Sequence, residues 1–233
     1  MCGRYTLKTP VERLSEKLQF AEIIPLKPRY NIAPSQAVAV VRLLPEDTDR
    51  TLAMLRWGLL PAWVKDPAKV QQPINAKAET AAEKPMFRDA FKRQRCLVPA
   101  DGFYEWKQEG GRKQPVYIHM KDGEPFAIAG LWEHWEGQDG QVIESCTLLT
   151  TEPNGLLAAI HNRMPVILAP KDYEQWLDPG LQEADGVKPL LRPYRPEAMT
   201  YFPVNLRVNN PRNDDVLCIE PLPQTRIPHG KEN

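Results

Sequence analysis

The sequence predicts a single α+β domain with an antiparallel β-sheet core, barrel-like and flanked by short helices. Residues 95–151 carry successive β-rich runs separated by the tight-turn sequences EGG, KDG and QDG. The 24 prolines are scattered along the chain, which disfavours a helical bundle. No internal repeat, low-complexity tract or linker divides the 233 residues, so one domain over 1–233 is expected.

The N-terminal part predicts one helix and two strands. Thr9 is expected to cap the helix VERLSEKLQF, with Pro10 as its first residue. The next segment, PLKPRYNIAPSQ, is expected to be an ordered loop. Strands are predicted over 38–44 and 51–57, on either side of the polar turn PEDTD.

The remaining elements follow from apolar periodicity and from the positions of glycine and proline. They are a helix over 79–93 interrupted at Pro85, strands over 95–98, 102–107, 116–120, 126–135, 142–151 and 164–168, helices over 154–160 and 171–177, and two strands, YFPVN and VLCIE, within 199–220. The last dozen residues are expected to be frayed.

Charge and cysteine content restrict the classes of function. Lys plus Arg and Asp plus Glu both number 30, and this zero net charge argues against binding nucleic acid or membrane through bulk positive charge. No apolar run approaches the ~18 residues of a membrane span, and the N-terminus lacks a secretory h-region. Cys2, Cys96, Cys146 and Cys218 form no CxxC pair, so no metal site is expected. Buried thiols at Cys96 and Cys146 and a cytoplasmic location are predicted.

Cys2 is the most distinctive residue of the N-terminus. Removal of Met1 would leave an α-amine beside a thiol, and that amine has a pKa of about 7.7–8.0. The amine can form a Schiff base with an aldehyde, and the thiol can then close a five-membered thiazolidine. Alternatively, the thiolate attacks an acyl group while the amine serves as base. By position alone, however, a small second residue without a function is the better interpretation of Cys2, since many proteins start this way.

Three further polar residues each have a functional and a structural interpretation. Glu105 shares a strand face with Phe103, where burial would raise its pKa for acid–base work; otherwise it faces water. His161 follows a short apolar helix and is either a proton shuttle or a cation at the helix C-terminus. Asn75 either orients an amine or substrate oxygen or caps the next helix.

Basic and aromatic residues are interleaved near the same segments. Such a mixture suits single-stranded nucleic acid, with cations on phosphates and rings stacked on bases, although a solvated surface over core tryptophans is the commoner case. The residues are Arg4, Arg56, Trp57, Trp63, Lys65, Lys77, Arg88, Lys92, Arg93, Arg95 and Arg163.

Six segments together resemble the SOS-response-associated peptidase family, whose members shield abasic sites in single-stranded DNA. In chain order they are MCGRY, RYNIAPSQ, RWGLLPAW, INAKAET, ADGFYEWK and IHNRMPVIL. The motifs span residues 2 to about 168, and no single one would be specific by itself. The resemblance implies an antiparallel, barrel-like fold and a DNA partner without a cofactor.

The resemblance also implies a mechanism. Cys2, exposed by removal of Met1, would attack the C1′ aldehyde of a ring-opened abasic site and close a thiazolidine crosslink. Asn75 matches the residue that positions the Cys2 amine, Glu105 matches the acid–base carboxylate, and His161 matches the histidine that opens the sugar ring and reverses the crosslink. Lyase activity by β-elimination and removal of Met1 by self-cleavage are implied as side activities.

Seven residues match the family's DNA-contacting positions. Arg4, Lys77 and Arg163 match backbone-binding residues, and Lys77 stands where many relatives carry Arg. Asn31, Pro34 and Trp63 match loops that shape the DNA groove and wedge against bases. Thr150 matches a threonine near the abasic sugar, with Thr151 as an alternative. The expected protein is a monomer that acts at the nucleoid on abasic sites in single strands, including those at junctions with duplex.

Two other functions remain open from the sequence. Glutamine amidotransferases with a leading cysteine also begin MCG, although their downstream glutamine-binding signatures are absent here. A non-covalent single-strand binder would use only the basic and aromatic surface, with binding indifferent to abasic sites and abolished by salt.

Overall fold

A computed structural model describes residues 2–223 of the chain. The strands and helices assigned in this range are β1 Tyr5–Leu7, α1 Val11–Leu18, β2 Arg29–Ile32, β3 Ala37–Arg42, β4 Thr51–Trp57, β5 Asn75–Lys77, α2 Ala78–Ala81, α3 Arg88–Arg93, β6 Arg95–Ala100, β7 Gly102–Glu109, β8 Arg112–Met120, β9 Phe126–Glu136, β10 Val142–Thr151, β11 Met164–Pro165, β12 Ile167–Leu168, α4 Tyr173–Leu177 and β13 Met199–Pro203.

Five strands close into a barrel in the order β10-β4-β3-β6-β9, because β9 also pairs with β10. Apolar residues from these strands fill the interior, and closure leaves no unpaired edge in the ring. The predicted α+β, barrel-like fold is therefore confirmed. Two pairings differ from the antiparallel expectation, since β4 and β5 both run parallel to β10. A ring of five strands with four antiparallel pairs leaves the fifth pair, β4 with β10, parallel.

A second, antiparallel sheet places the N-terminus. Its order is β13-β8-β7-β1-β2, so the first strand of the chain lies between β7 and β2. Tyr5 pairs with Phe103 on one side and with Ile32 on the other. Because β1 lies in the interior of this sheet and is buried, Cys2, three residues before its start, also lies in the core.

The cysteine prediction is confirmed for the two strand positions. Cys96 and Cys146 are buried free thiols in the main core. Cys2 and Cys218 are also buried free thiols. Within residues 2–223 no cluster of His, Cys, Asp or Glu is arranged to hold a metal ion. None of the helices described there is long and apolar enough to span a bilayer.

The helix predictions were partly wrong. Pro10, not Thr9, occupies the N-cap of α1, because the Thr9 hydroxyl donates to Asp101 instead. The interruption predicted at Pro85 within 79–93 is confirmed, because two short helices, α2 and α3, lie on either side of it. The segment predicted as a helix over 154–160 forms hydrogen-bonded turns instead, with the Asn154 carboxamide accepting from the backbone N–H groups of Leu156 and Leu157.

Three corrections concern strands. The segment predicted as an ordered loop contains β2, which pairs with β1. The predicted strand over 164–168 is divided into β11 and β12, which pair with β10 and β9. In the tail, YFPVN forms most of β13, but VLCIE is a 3-10 turn over Val216–Ile219 capped by Asp215. The frayed end predicted for the last dozen residues lies almost wholly outside the described range.

Gly102, at the start of β7, lets the Tyr117 ring of the neighbouring strand β8 pack closely against the backbone. A Cβ on Gly102 would lie 2.5 Å from the Tyr117 ring, whose hydroxyl is hydrogen-bonded to Thr6 at 2.9 Å. We therefore expect Gly102→Ala to lower the free energy of unfolding by about 1–3 kcal/mol in urea titrations. Gly155→Ala, whose added Cβ would meet no atom within 4 Å, serves as the control. Equal stability of both variants would contradict this packing.

Candidate active site

Cys2 is fully buried at the head of β1. Its carbonyl oxygen accepts a hydrogen bond of 2.9 Å from Nδ2 of Asn75, and its thiol lies 3.8 Å from the carbonyl oxygen of Arg4. Burial raises the pKa of the thiol far above its ordinary value, and the negative charge of Glu105 raises it further. The thiol is therefore neutral at physiological pH, and a reaction at its sulfur needs a nearby proton acceptor.

Asn75 is held in place by a strand pairing. It is the first residue of β5 and lies opposite Leu148 of β10. The alternative that Asn75 caps a helix is wrong, because the N-cap of α2 is Lys77. The Nδ2 atom of Asn75 bonds the Cys2 carbonyl, and its buried Oδ1 accepts from no donor among residues 2–223. That oxygen is available for an additional donor such as an amine.

Glu105 is a buried carboxyl on β7. It is 3% exposed, so the alternative of a glutamate facing water is wrong. As alternation predicted, Phe103 packs in the main core, whereas Tyr104 and Trp106 pack in a separate cluster on the other face. Burial raises the pKa of Glu105 to about 7, while the positive charge of the chain's amino terminus acts in the opposite direction. Both protonation states are therefore populated near neutral pH.

His161 lies in the turn after β10. Its Nδ1 lies 3.1 Å from the backbone nitrogen and 3.3 Å from the carbonyl oxygen of Arg163, so the backbone of that residue orients the ring. Burial and the positive amino terminus lower its pKa, so the ring is neutral at physiological pH. The alternative of a cation at a helix C-terminus is wrong, since no helix precedes it.

These residues come from distant parts of the chain to one place. Asn75 contacts Cys2 directly, and Glu105 acts electrostatically on the Cys2 thiol. The positive charge of the amino terminus influences the pKa of Cys2, Glu105 and His161 alike. A thiol, an acid–base carboxyl and a neutral imidazole therefore surround the start of the chain, which suits covalent chemistry on a carbonyl compound.

A second group of polar residues adjoins β5 and β10. Arg163 makes a bidentate ion pair with Glu79, at 2.7 and 2.8 Å, and also donates to the carbonyl oxygen of Thr150. The Thr150 hydroxyl is buried and contacts the carbonyl oxygen of Ala76 at 3.4 Å. Glu79 has no separate signal in the sequence, because an acidic residue in a first helical turn is ordinary. Lys77 is exposed beside this group.

Arg4 and Asn31 serve the fold in this conformation. Arg4 donates to Oδ1 of Asn31 at 2.9 Å and to the carbonyl oxygen of Val208 at 2.6 Å. Asn31 is fully buried and donates to carbonyl oxygens of the segment 208–213. The two residues thereby attach the tail to β2. DNA contacts by either stay a prediction.

Pro34 and Trp63 lie in separate loops. Pro34 is half-buried and precedes Ser35, which has a left-handed φ of 69°. Trp63 is 55% exposed, which is unusual for so large an apolar side chain. By contrast Trp57 and Arg95, from the same basic and aromatic set, are buried parts of the core. The Arg95 guanidinium donates to backbone carbonyl oxygens in and after α3 and α4.

Comparison with known proteins assigns the family. The family model described as SOS response associated peptidase matches residues 1–211. The chain belongs to this family. It is 40% identical over 224 residues to the abasic site processing protein YoqW of Bacillus subtilis, covering 94% of this chain and 99% of YoqW. It is 33% identical to the abasic site processing protein HMCES of Xenopus tropicalis, covering 83% of this chain and 66% of HMCES.

Solved structures agree with the assignment to the SOS response associated peptidase family. A protein from Bacteroides thetaiotaomicron superposes with a TM-score of 0.84 at 26% identity, covering 95% of this chain and 100% of the other. A phage-related protein from Bordetella bronchiseptica has a TM-score of 0.71 at 32% identity, covering 87% of this chain and 94% of the other. The barrel with its second sheet is therefore the fold of known relatives.

The buried carboxyl at position 105 should make stability depend on pH. Its pKa in the folded protein, about 7, exceeds the ordinary 4.5, so its contribution is fully present below pH 4.5 and is lost as pH rises through 7. From pH 5 to pH 8 we expect the wild type to lose on the order of 2–3 kcal/mol of unfolding free energy relative to Glu105→Gln. Urea titrations at both pH values measure the difference. Glu136→Gln, on the exposed end of β9, should give no such trend.

Proposed function

We propose that the protein processes abasic sites in single-stranded DNA by capturing them covalently on Cys2. Two of its relatives are named abasic site processing proteins. The observation that carries the proposal is the position of Cys2, whose carbonyl is bound by Asn75 and whose thiol is within electrostatic range of Glu105. An amine and a thiol on adjacent carbons, held beside an acid–base group, are what thiazolidine formation from an aldehyde requires.

The first bond is formed by the amine. Removal of Met1 gives Cys2 a free α-amine, and its pKa of about 7.7–8.0 leaves an appreciable neutral fraction. His161 assists opening of the deoxyribose ring by transferring a proton at the ring oxygen. The amine attacks C1′ of the resulting aldehyde, and the carbinolamine loses water to give a protonated imine, which keeps its N–H proton. Glu105 in its protonated form donates a proton to the departing hydroxyl.

The second bond is formed by the thiol. Because burial keeps the Cys2 thiol protonated, its attack on the imine carbon needs a proton acceptor. Glu105 is ionised after the previous step and takes up that proton. The S–C1′ bond forms as the imine nitrogen becomes an amine, so aldehyde and cysteine give thiazolidine and one water. The asparagine at position 75 holds the cysteine in place throughout.

The imine and the thiol would each give one side activity. An imine at C1′ acidifies the C2′ protons, so β-elimination of the 3′ phosphate gives lyase activity. Closure of the thiazolidine consumes the imine and thereby limits strand cleavage. Attack by the same thiol on an acyl group accounts for self-removal of Met1, which an aminopeptidase would also accomplish.

DNA would be held by a local surface rather than by bulk charge. We assign phosphate contacts to Arg4, Lys77 and Arg163, and base contacts to Trp63 and the loop of Pro34. Asn31 would act by holding Arg4, and Thr150 would lie near the abasic sugar beside Arg163. Zero net charge fits a protein whose retention on DNA depends on one covalent bond. We place this monomer in the cytoplasm, at the nucleoid.

Covalent capture is tested with a single-stranded oligonucleotide bearing one abasic site. The wild type, shown by intact mass to lack Met1, should form a crosslink that survives heat, denaturant and high salt, seen as a shifted band on a denaturing gel. Cys2→Ala should abolish the thiazolidine, because the sulfur is gone. Crosslinking by Cys2→Ala as stable as that of the wild type would refute the mechanism.

Two variants separate the assigned roles in the same assay. Glu105→Gln and His161→Ala should slow capture about 10²-fold or more, since each removes one proton-transfer group. An aldehyde that is already open, offered on an oligonucleotide, should rescue His161→Ala but not Glu105→Gln. Glutaminase activity without crosslinking would instead support the amidohydrolase alternative.

The ion pair between Arg163 and Glu79 should restrain DNA binding. In the free protein both terminal nitrogens of Arg163 are occupied by the Glu79 carboxylate, which therefore competes with a phosphate. We expect Glu79→Gln to tighten binding of an abasic-free single strand a few-fold, measured by fluorescence anisotropy. Glu83→Gln, which removes an exposed charge elsewhere on the same segment, controls for net charge. Weaker binding by Glu79→Gln would mean that Glu79 instead orients Arg163 toward DNA.

A further inference from the structure

A second buried carboxyl lies outside the candidate active site. Glu133 on β9 is only 5% exposed and lies opposite Ser145 of β10. Its carboxylate accepts from the backbone N–H of Ala62. Burial raises its pKa to about 7, and the nearby charge of Asp89 raises it further. No step of the proposed capture uses this group.

Glu133 borders a cavity of about 370 Å³. This volume lies within the range of about 300–1,000 Å³ found for small-ligand sites. The other side chains that shape the cavity are Trp63, Asp89, Lys92, Arg93 and Gln94. The site therefore combines one exposed aromatic ring, one buried acceptor, two exposed cations and the exposed carboxylate of Asp89, and Cys2 is not among its lining residues.

This combination matches a nucleotide. The Trp63 ring, 55% exposed at the cavity, offers a stacking surface, and Lys92 and Arg93 at the end of α3 can neutralise a phosphate. These two cations also disfavour a metal ion, although Asp89 and Glu133 are acidic. The cavity lies between the segment after β4 and the helix α3.

The buried acceptor selects among bases. A carboxylate is an acceptor only, with two oxygens side by side. Guanine presents two adjacent donors, N1–H and the N2 amino group, on its Watson–Crick edge. Adenine and cytosine present one donor beside one acceptor, and thymine presents one donor between two acceptors. Only guanine matches both oxygens of an ionised Glu133 without an unfavourable pairing of acceptors.

We propose that the cavity formed by Trp63, Glu133, Lys92 and Arg93 binds an unpaired guanine of the strand whose abasic site reacts with Cys2. This inference rests on the proposed function. It assigns to the protein a preference for sequence context at one position flanking the lesion. Guanine would favour the ionised form of Glu133, which its environment otherwise leaves partly protonated.

The test uses a single-stranded library with one fixed abasic site and ten randomised nucleotides on each side. Crosslinked strands, recovered at low conversion and sequenced, should show guanine enriched about fivefold or more at one position with the wild type. Glu133→Gln keeps an oxygen for Ala62 but replaces the second acceptor by a donor, so the enrichment should disappear. Glu136→Gln, on the exposed end of the same strand, should retain it.

Two further measurements test the guanine preference separately from covalent capture. Inosine lacks the N2 amino group, so inosine at the enriched position should lower capture by the wild type toward the level of adenine, without any protein variant. Capture of a guanine-free strand should be equal for wild type and Glu133→Gln. Crosslinking without guanine enrichment, or enrichment that survives in Glu133→Gln, would overturn the inference while leaving capture intact. If no strand of the library crosslinks, the proposed function fails. Selection of non-covalently bound strands from a library without the abasic site then measures the base preference by itself.

Discussion

The burial of Cys2 is the constraint on which the candidate site depends. An N-terminal segment is ordinarily the least ordered part of a domain, yet here β1 is an interior strand, paired with β7 on one side and β2 on the other. The hydrogen bond from Asn75 to the Cys2 carbonyl then fixes the residue against β5. Because β5 is itself aligned by its parallel pairing with β10, the barrel and the second sheet jointly determine where the thiol lies.

Burial also sets the chemistry of the site. The thiol and the imidazole are held neutral, and the Glu105 carboxyl is held near its midpoint, all through desolvation as the largest cause. The charged groups lie to the side, where Arg163 is paired with Glu79 and Arg4 is bonded to Asn31. In the proposed mechanism those charges serve recognition, and the buried groups serve bond formation.

The sequence predicted elements set by local signals better than elements set by pairing with distant segments. Strands flanked by glycine turns, such as β7 to β10, were placed correctly because alternation and turn chemistry are local signals. β2 was missed because it pairs with β1, from which the whole first helix separates it in the chain. The strand predicted over VLCIE is wrong because Asp215 caps a 3-10 turn there. Local pattern also favoured the wrong interpretations of Glu105 and Asn75. Their burial and contacts depend on strands brought together from distant segments, so family motifs, not periodicity, pointed to them.

The interior position of β1 in its sheet has a consequence for biosynthesis. Cys2 is enclosed only after β7 and β5 have been made, roughly a hundred residues behind it in the chain. At about 5–20 residues per second, the ribosome leaves the nascent N-terminus open for about 5–20 s. Removal of Met1 by an aminopeptidase is therefore in competition with folding. A chain that completes its second sheet first would then depend on self-cleavage to free the Cys2 amine.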